Sequence, residues 1–271
     1  MFISGATRGI GLAIGKGVAT QGANVVVLGK TVEPHPHLPG TVASACAEIE
    51  QAGGQALGIA CDIRDPEQIA RAVAQALDRF SGIDVLVNNA SAIFLASTAD
   101  TPHKRYDLMH QVNARGSYLC GQACLPALKQ SKSAHILTLS PPLDLRAEYF
   151  SPHVAYSMAK FGMSLTTLGW AAEFAEYGIA VNSLWPRTII DTSAVRNLLG
   201  GEAVASRGRS PQIVADAAAY ILSQGAHFSG QFLIDEDVLT AAGVTDFSQY
   251  ATCAADELIY DLFLPESLTQ K

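Results

Sequence analysis

The chain has 271 residues, 49% of them apolar and 16% charged, with a formal net charge of −7. A chain of this length and composition buries a large core, and an acidic balance without a Lys/Arg run argues against nucleic acid or an anionic membrane surface as a partner. Five cysteines, Cys46, Cys61, Cys120, Cys124 and Cys253, show no CxxC spacing, so reduced thiols are expected and neither a disulfide framework nor a zinc site. With no apolar stretch near the ~18 residues of a membrane span and no basic-plus-apolar leader, the reading is a cytoplasmic protein without an integral membrane segment.

In chain order, Phe2-Ile3-Ser4 reads as a short strand, Gly5-Ala6-Thr7-Arg8-Gly9-Ile10-Gly11 as a glycine turn, and Leu12 to Gln21 as an amphipathic helix. Strand, turn and helix start form the place where backbone N–H groups and the helix dipole hold a pyrophosphate. The spacing is GxxxGxG, and the first strand is short or the natural start lies upstream. Asn24 to Gly29 reads as a strand buried on both faces of a parallel sheet. Its end carries Lys30 and Thr31, with Arg8 at hand and no carboxylate where an NAD site would place one, so NADP(H) is expected over NAD(H). Lys30 as a plain solvated loop residue is the alternative.

Glu33 to Gly40 is a proline-rich loop, and its His35 and His37 lack a third partner, so no metal is expected. Thr41 to Ala52 reads as a helix, Gln55 to Cys61 as a strand, Pro66 to Phe80 as a helix and Ile83 to Val87 as a strand running into Asn88-Asn89-Ala90-Ser91. A long helical region follows, containing Gln111 to Gly116, then a strand from His135 to Leu139 ending in Ser140-Pro141-Pro142. His153 to Tyr177 reads as a helix, Ile179 to Leu184 as a strand before Trp185-Pro186-Arg187-Thr188, and Ile189 to Gly201 as a flap. Pro211 to Ser223 is a further helix and Gln231 to Asp235 a seventh strand. Unbroken strand and helix alternation predicts an α/β fold: one doubly wound, Rossmann-type parallel sheet of seven strands with helices on both faces.

Within the helix from His153, Tyr156 and Lys160 are one turn apart and can point into the same space. A cation held there lowers the pKa of a phenol and suits it to general acid or base work. Ser140, at a strand's carboxyl end, converges on the same cleft.

Taken together, Gly5, Gly9 and Gly11, Asp62, Asn88-Asn89-Ala90, Asn113, Ser140, and Tyr156 with Lys160 resemble the short-chain dehydrogenase/reductase family from Phe2 to about Val238. Gly29-Lys30-Thr31, the Pro-His-Pro-His loop, Leu139 to Pro142 and Trp185 to Thr188 resemble its hydroxysteroid dehydrogenase-like type 2 branch. The resemblance implies a domain over residues 1–240 and a tail over 241–271 that packs on it or on a neighbouring subunit. It implies a catalytic set of Asn113, Ser140, Tyr156 and Lys160. It also implies cofactor contacts by Gly5, Thr7, Arg8, Gly9, Ile10, Gly11, Lys30, Thr31, Asp62, Ile63, Asn89, Ala90, Ser91, Tyr156, Lys160, Pro186 and Thr188. The expected reaction interconverts a ketone or aldehyde with an alcohol on an apolar or lipid-like small molecule, in a homodimer or homotetramer. A cofactor-binding sensor or interaction protein with little turnover is the alternative. Arg187 stands where many relatives have glycine, and recognition of an anionic substrate group is the role it suggests.

Overall fold

The computed structural model describes residues 1–36 and 38–264; His37 and residues 265–271 of the tail lie outside them. Seven parallel strands form one sheet in the order β3-β2-β1-β4-β5-β6-β7. They are β1 (Phe2–Ser4), β2 (Asn24–Gly29), β3 (Gln55–Ala60), β4 (Val85–Asn88), β5 (His135–Leu139), β6 (Ala180–Trp185) and β7 (Phe232–Ile234). The nine α-helices among the described residues are α1 (Gly9–Ala19), α2 (Val42–Gln51), α3 (Pro66–Phe80), α4 (His103–Met109), α5 (Ser117–Leu128), α6 (Val154–Glu173), α7 (Gly201–Ala205), α8 (Gln212–Leu222) and α9 (Asp235–Ala241). Among the described residues, no helix is long and apolar enough to cross a membrane.

Strand periodicity divides the core. Ile3, Val25 and Val27 face the layer built from Ile14 and Val18 of α1, Ile49 of α2 and Ile213 and Val214 of α8. Their chain neighbours Phe2, Val26 and Leu28 face the opposite layer, with Ile69 of α3, Leu128 of α5 and Trp170 of α6. Strands covered on both sides are apolar along most of their length, which is why β2 carries no alternation and β5 is buried at every position, His135 and Thr138 included. Local chemistry fixes the ends: Thr41 and Ser44 form a reciprocal cap on α2, and Asp65 accepts from the Glu67 and Gln68 amides with Pro66 at the first turn of α3.

The bounds of β1, β2, α3 and β5 match the sequence reading, those of β3, β4, β6, α2, α6 and α8 shift by one to four residues, and three features depart in kind. Helix α1 starts at Gly9, inside the glycine turn, three residues before the first amphipathic position. The helical region after β4 is split by a π-helical segment, His110–Gly116. Asp235 starts α9 instead of ending a strand: its carboxylate accepts from the Arg187 and Glu236 amides.

Helices α5 and α6 approach closely at Gly121, where an added Cβ would be driven into the Trp170 indole. Gly121→Ala is therefore expected to destabilise the fold by roughly 1–3 kcal/mol through overpacking. Urea unfolding reads this, and an unchanged midpoint would show that the indole can step aside.

Candidate active site

Because β2 and β3 lie on one side of β1 and β4 to β7 on the other, the crevice between β1 and β4 is the topological switch point, where open α/β sheets take their ligands. The glycine turn crosses this crevice. Gly5 and Gly9 hold φ of +69° and +55°, and a Cβ on Gly5 would lie 2.9 Å from Ala90 Cα. One on Gly11 would meet Gly5 O at 2.7 Å and run into the Asn89 amide. Ser4 and Asn89 lock the turn to the end of β4: Asn89 Nδ2 donates to Ser4 O at 3.0 Å and to Gly5 O at 2.9 Å, and the Asn89 and Ala90 amides each donate to Ser4 Oγ at 3.1 Å. The opening turn of α1 thus presents N–H groups to a cleft of about 560 Å³ lined by Thr7, Arg8 and Gly9, with Thr192 of the flap opposite. Gly11 and Thr7 are buried, and Ile10 is partly exposed.

At the end of β2, Arg8 donates from Nη2 to Thr31 Oγ1 at 2.9 Å and Gly40 O at 3.0 Å, and from Nε to Pro39 O at 2.7 Å. Lys30 is exposed and sits 3.6 Å from Asp62. The bonds that Arg64 donates to Asp62, with some help from Lys30, hold that carboxyl down at about 2. Ile63 is buried against the close-packed Gly116, whereas Ser91 is exposed. A glycine cradle that added side chains would fill, with the Arg8 and Lys30 cations at its side, suits a dinucleotide.

The second half of the site gathers at the ends of β5 and β6. Lys160 is 3% exposed; its Nζ donates to Leu139 O at 2.7 Å and lies 4.9 Å from the Trp185 ring centroid. The neighbouring Ser140 is buried, with no hydrogen-bond partner for its Oγ among the described residues. Asn113 sits in the π-helical segment, where it accepts from the Ala92 amide at 2.7 Å and donates to Ala92 O at 2.9 Å. Pro186 and Thr188 are buried beyond β6, and Thr188 Oγ1 likewise has no hydrogen-bond partner among the described residues. The structure therefore brings Ser140, Lys160 and the β6 end to one edge, and Tyr156 joins them one turn before Lys160 on α6.

A family model described as short chain dehydrogenase matches residues 1–202. The chain belongs to the short-chain dehydrogenase/reductase family. It is 52% identical over 273 residues to a Danio rerio protein named hydroxysteroid dehydrogenase-like protein 2, covering 100% of this chain and 65% of that protein. This short-chain dehydrogenase/reductase therefore spans under two-thirds of the length of that relative. A crystal structure of a short chain dehydrogenase from Mycobacterium thermoresistibile is 51% identical, with TM-score 0.92 over 98% of this chain and 94% of that one. A metagenomic short-chain oxidoreductase in complex with NADP is 26% identical, with TM-score 0.69 over 86% and 94% of the two chains.

Three features of this family member run against the sequence reading. Tyr156 is nearly buried: it is 5% exposed, and the Phe263 ring stacks on it at 6.0 Å and 28°. Burial, reinforced by the Asp261 carboxylate, pushes the phenol well above its ordinary value, opposite to the lowering expected from Lys160 alone. The ammonium is itself desolvated, and burial brings Lys160 down to about 7 against the pull of Asp261. Arg187, suggested for an anionic substrate, is instead paired with Glu236 at 3.1 Å and with Asp237, so its charge is already answered. Sequence reading missed Ser4, Asp261 and Phe263. A lone serine at a strand's last position carries no signal, and an apolar tail does not reveal what it covers.

Proposed function

We propose that the protein is an NADP(H)-dependent oxidoreductase that interconverts an apolar or lipid-like ketone or aldehyde with its alcohol, with Tyr156 as general acid and base. The observation that carries this reading is the Lys160 ammonium at 2.7 Å from Leu139 O, one turn from Tyr156 and beside the unpartnered Ser140 Oγ. The nicotinamide cofactor, when bound, supplies or accepts the hydride. Tyr156 gives its proton to the substrate oxygen in reduction and takes it back in oxidation. Ser140 Oγ donates a hydrogen bond to that oxygen and orients the carbonyl. Lys160 stabilises the phenolate electrostatically and holds the nicotinamide ribose, and Asn113 anchors the water through which Lys160 exchanges protons with solvent.

The glycine turn, Asp62, Ile63, Asn89, Ala90 and Ser91 hold the adenosine and pyrophosphate side, and Pro186 and Thr188 the nicotinamide side. Arg8, Lys30 and Thr31 take the 2′-phosphate, and the relative in complex with NADP supports that preference. NADPH should therefore bind more tightly than NADH to the purified protein. Arg8→Ala should weaken NADPH roughly ten-fold while moving NADH about two-fold or less, since a charge-assisted bond to phosphate is what is lost. Titration calorimetry with both cofactors reads this, and tighter NADH binding sinks the assignment.

A working homodimer or homotetramer fits the apolar stripe of Met158, Leu165 and Leu168 on α6 with Tyr118 on α5, each 45–54% exposed. Sedimentation velocity reads the assembly, and a monomer at micromolar concentration rules it out. The covered Tyr156 favours one other reading, a cofactor-binding protein with little turnover. NADPH oxidation with a panel of carbonyl compounds separates the two, and turnover dismisses the second.

A further inference from the structure

A proton donor must touch the oxygen it serves, and Tyr156 is covered. Of the rings in the apolar cluster that holds it, Phe161 belongs to α6 and Trp185 to β6, both part of the rigid frame, whereas Phe263 comes from a strap of the tail, residues 257–264, that runs over the edge of the sheet outside helix or strand. Phe263 packs edge-on to Phe161 at 5.4 Å and 85°, lies 5.9 Å from Trp185 and 5.8 Å from His153, and stacks on Tyr156. It thus lies against the face of the tyrosine ring, where the apolar body of a substrate held at the phenol would meet it.

The strap is tied down by a short set of bonds to residues at this edge. Trp185 Nε1 donates to Leu262 O at 2.8 Å, the Asp261 amide to Arg187 O at 3.0 Å, the Ile189 amide to Ile259 O at 2.9 Å, and Tyr149 Oη to Leu264 O at 2.5 Å. Phe263 holds φ of +66°, in the left-handed region that a bulky residue occupies only at a cost. Strain of this kind persists where the surroundings enforce it, and here the ring's aromatic contacts do so. Asp261, on the same strap, is desolvated and bears electrostatically on both Tyr156 and Lys160, opposing the phenolate. One segment therefore both covers the tyrosine and disfavours its ionised form, and its departure relieves both effects together.

Resting on the oxidoreductase reading, we propose that the strap is an intramolecular plug: Phe263 occupies the subsite for the apolar part of the substrate, and substrate and strap compete for it. Tyr149, Phe150, Phe161 and Trp185 frame that subsite, so the group it takes is flat and apolar, of the size of a phenyl ring. The apparent affinity for substrate is reduced by the fraction of molecules with the plug in place, and shortening residue 263 restores it.

The test uses the full chain, with acetophenone as the ring-bearing probe and acetone as the probe without a ring. Phe263→Ala should lower the KM for acetophenone with NADPH about ten-fold while moving kcat less than about two-fold, as expected when a competing state is removed. Acetophenone should exceed acetone by about ten-fold or more in kcat/KM, reflecting the apolar body it buries. Phe263→Leu, which keeps most of the buried volume, should shift KM in the same direction by less, and thermal melts confirm that the variants fold. Calorimetric binding of acetophenone to the cofactor-free protein supplies a second reading independent of turnover, and Phe263→Ala should tighten it similarly. A raised KM and weaker binding would make Phe263 a wall of the site, and unchanged values would make it ordinary core; either result overturns the plug. If no form of the protein oxidises NADPH, the oxidoreductase reading fails, while the binding comparison still judges the plug.

Discussion

Tyr156→Phe is expected to cut carbonyl reduction with NADPH roughly 10²–10⁴-fold, the range that general acid catalysis supplies, while leaving the NADPH dissociation constant within about two-fold. The substitution removes one oxygen and keeps the ring, so the stacking with Phe263 and the contact with His153 at 6.0 Å survive. Stability should accordingly change by no more than about 1 kcal/mol. Direction matters as well. Even when strap departure relieves the burial and the Asp261 carboxylate that raise its pKa, the phenol holds its proton at neutral pH and is ready to donate it in reduction. Oxidation of an alcohol needs the phenolate, so its rate should climb as pH rises above neutrality while reduction does not gain. Steady-state rates in both directions across pH 6 to 10 check this, and a variant that keeps more than about a tenth of wild-type turnover removes Tyr156 from the proton path.

Much of this site was legible because parallel α/β architecture converts chain order into spatial order. Once Phe2 to Ser4, Asn24 to Gly29 and His135 to Leu139 read as buried strands, the residues just after them must line one edge of the sheet. The sequence accordingly grouped Lys30 with Arg8 of the glycine turn, and Ser140 with Tyr156, and the sheet order puts all these strand ends on one edge. The Tyr156 and Lys160 pair followed from one helical turn. What stayed hidden depends on contacts between segments far apart in sequence. Ser4 Oγ serves the amides of Asn89 and Ala90, a role set by the distance between two strand ends. Arg187 looked available from sequence because Glu236 and Asp237 belong to a helix that the strand pattern through Asp235 concealed. Asn113 occupies a π-helical widening, and hydrophobic periodicity does not distinguish that from an ordinary turn. The tail was readable as apolar, yet periodicity says nothing about which surface an apolar segment will cover. Its position over Tyr156 also reverses the expected sign of the tyrosine's pKa shift, since desolvation acts on the phenol and the ammonium alike.

Lys160→Met is expected to lower turnover by about 10²-fold or more and, at the same time, to stabilise the protein below neutral pH. The lysine is a desolvated charge whose pKa has fallen from 10.5 to about 7, so the folded state binds that proton less readily than the unfolded chain does. Below about pH 7 both states are protonated and the full cost of burying the ammonium is present. Between about 7 and 10.5 only the unfolded chain holds the proton, so wild-type stability rises with pH by up to ~1.4 kcal/mol per unit. Methionine is close in volume and carries no charge to bury. Against this gain, the variant leaves Leu139 O without the donor now 2.7 Å away, a loss of about 1–3 kcal/mol. It also forgoes the attraction between Lys160 and Asp261. A net advantage on the order of 2 kcal/mol is expected at pH 6, shrinking or reversing by pH 9.5. Urea unfolding of both proteins at the two pH values measures it. A variant less stable than wild type at pH 6, or a difference that ignores pH, would mean that the ammonium is better solvated than its surroundings imply. A gain in stability coupled to a loss of turnover marks a charge held in the interior for its chemistry rather than for packing.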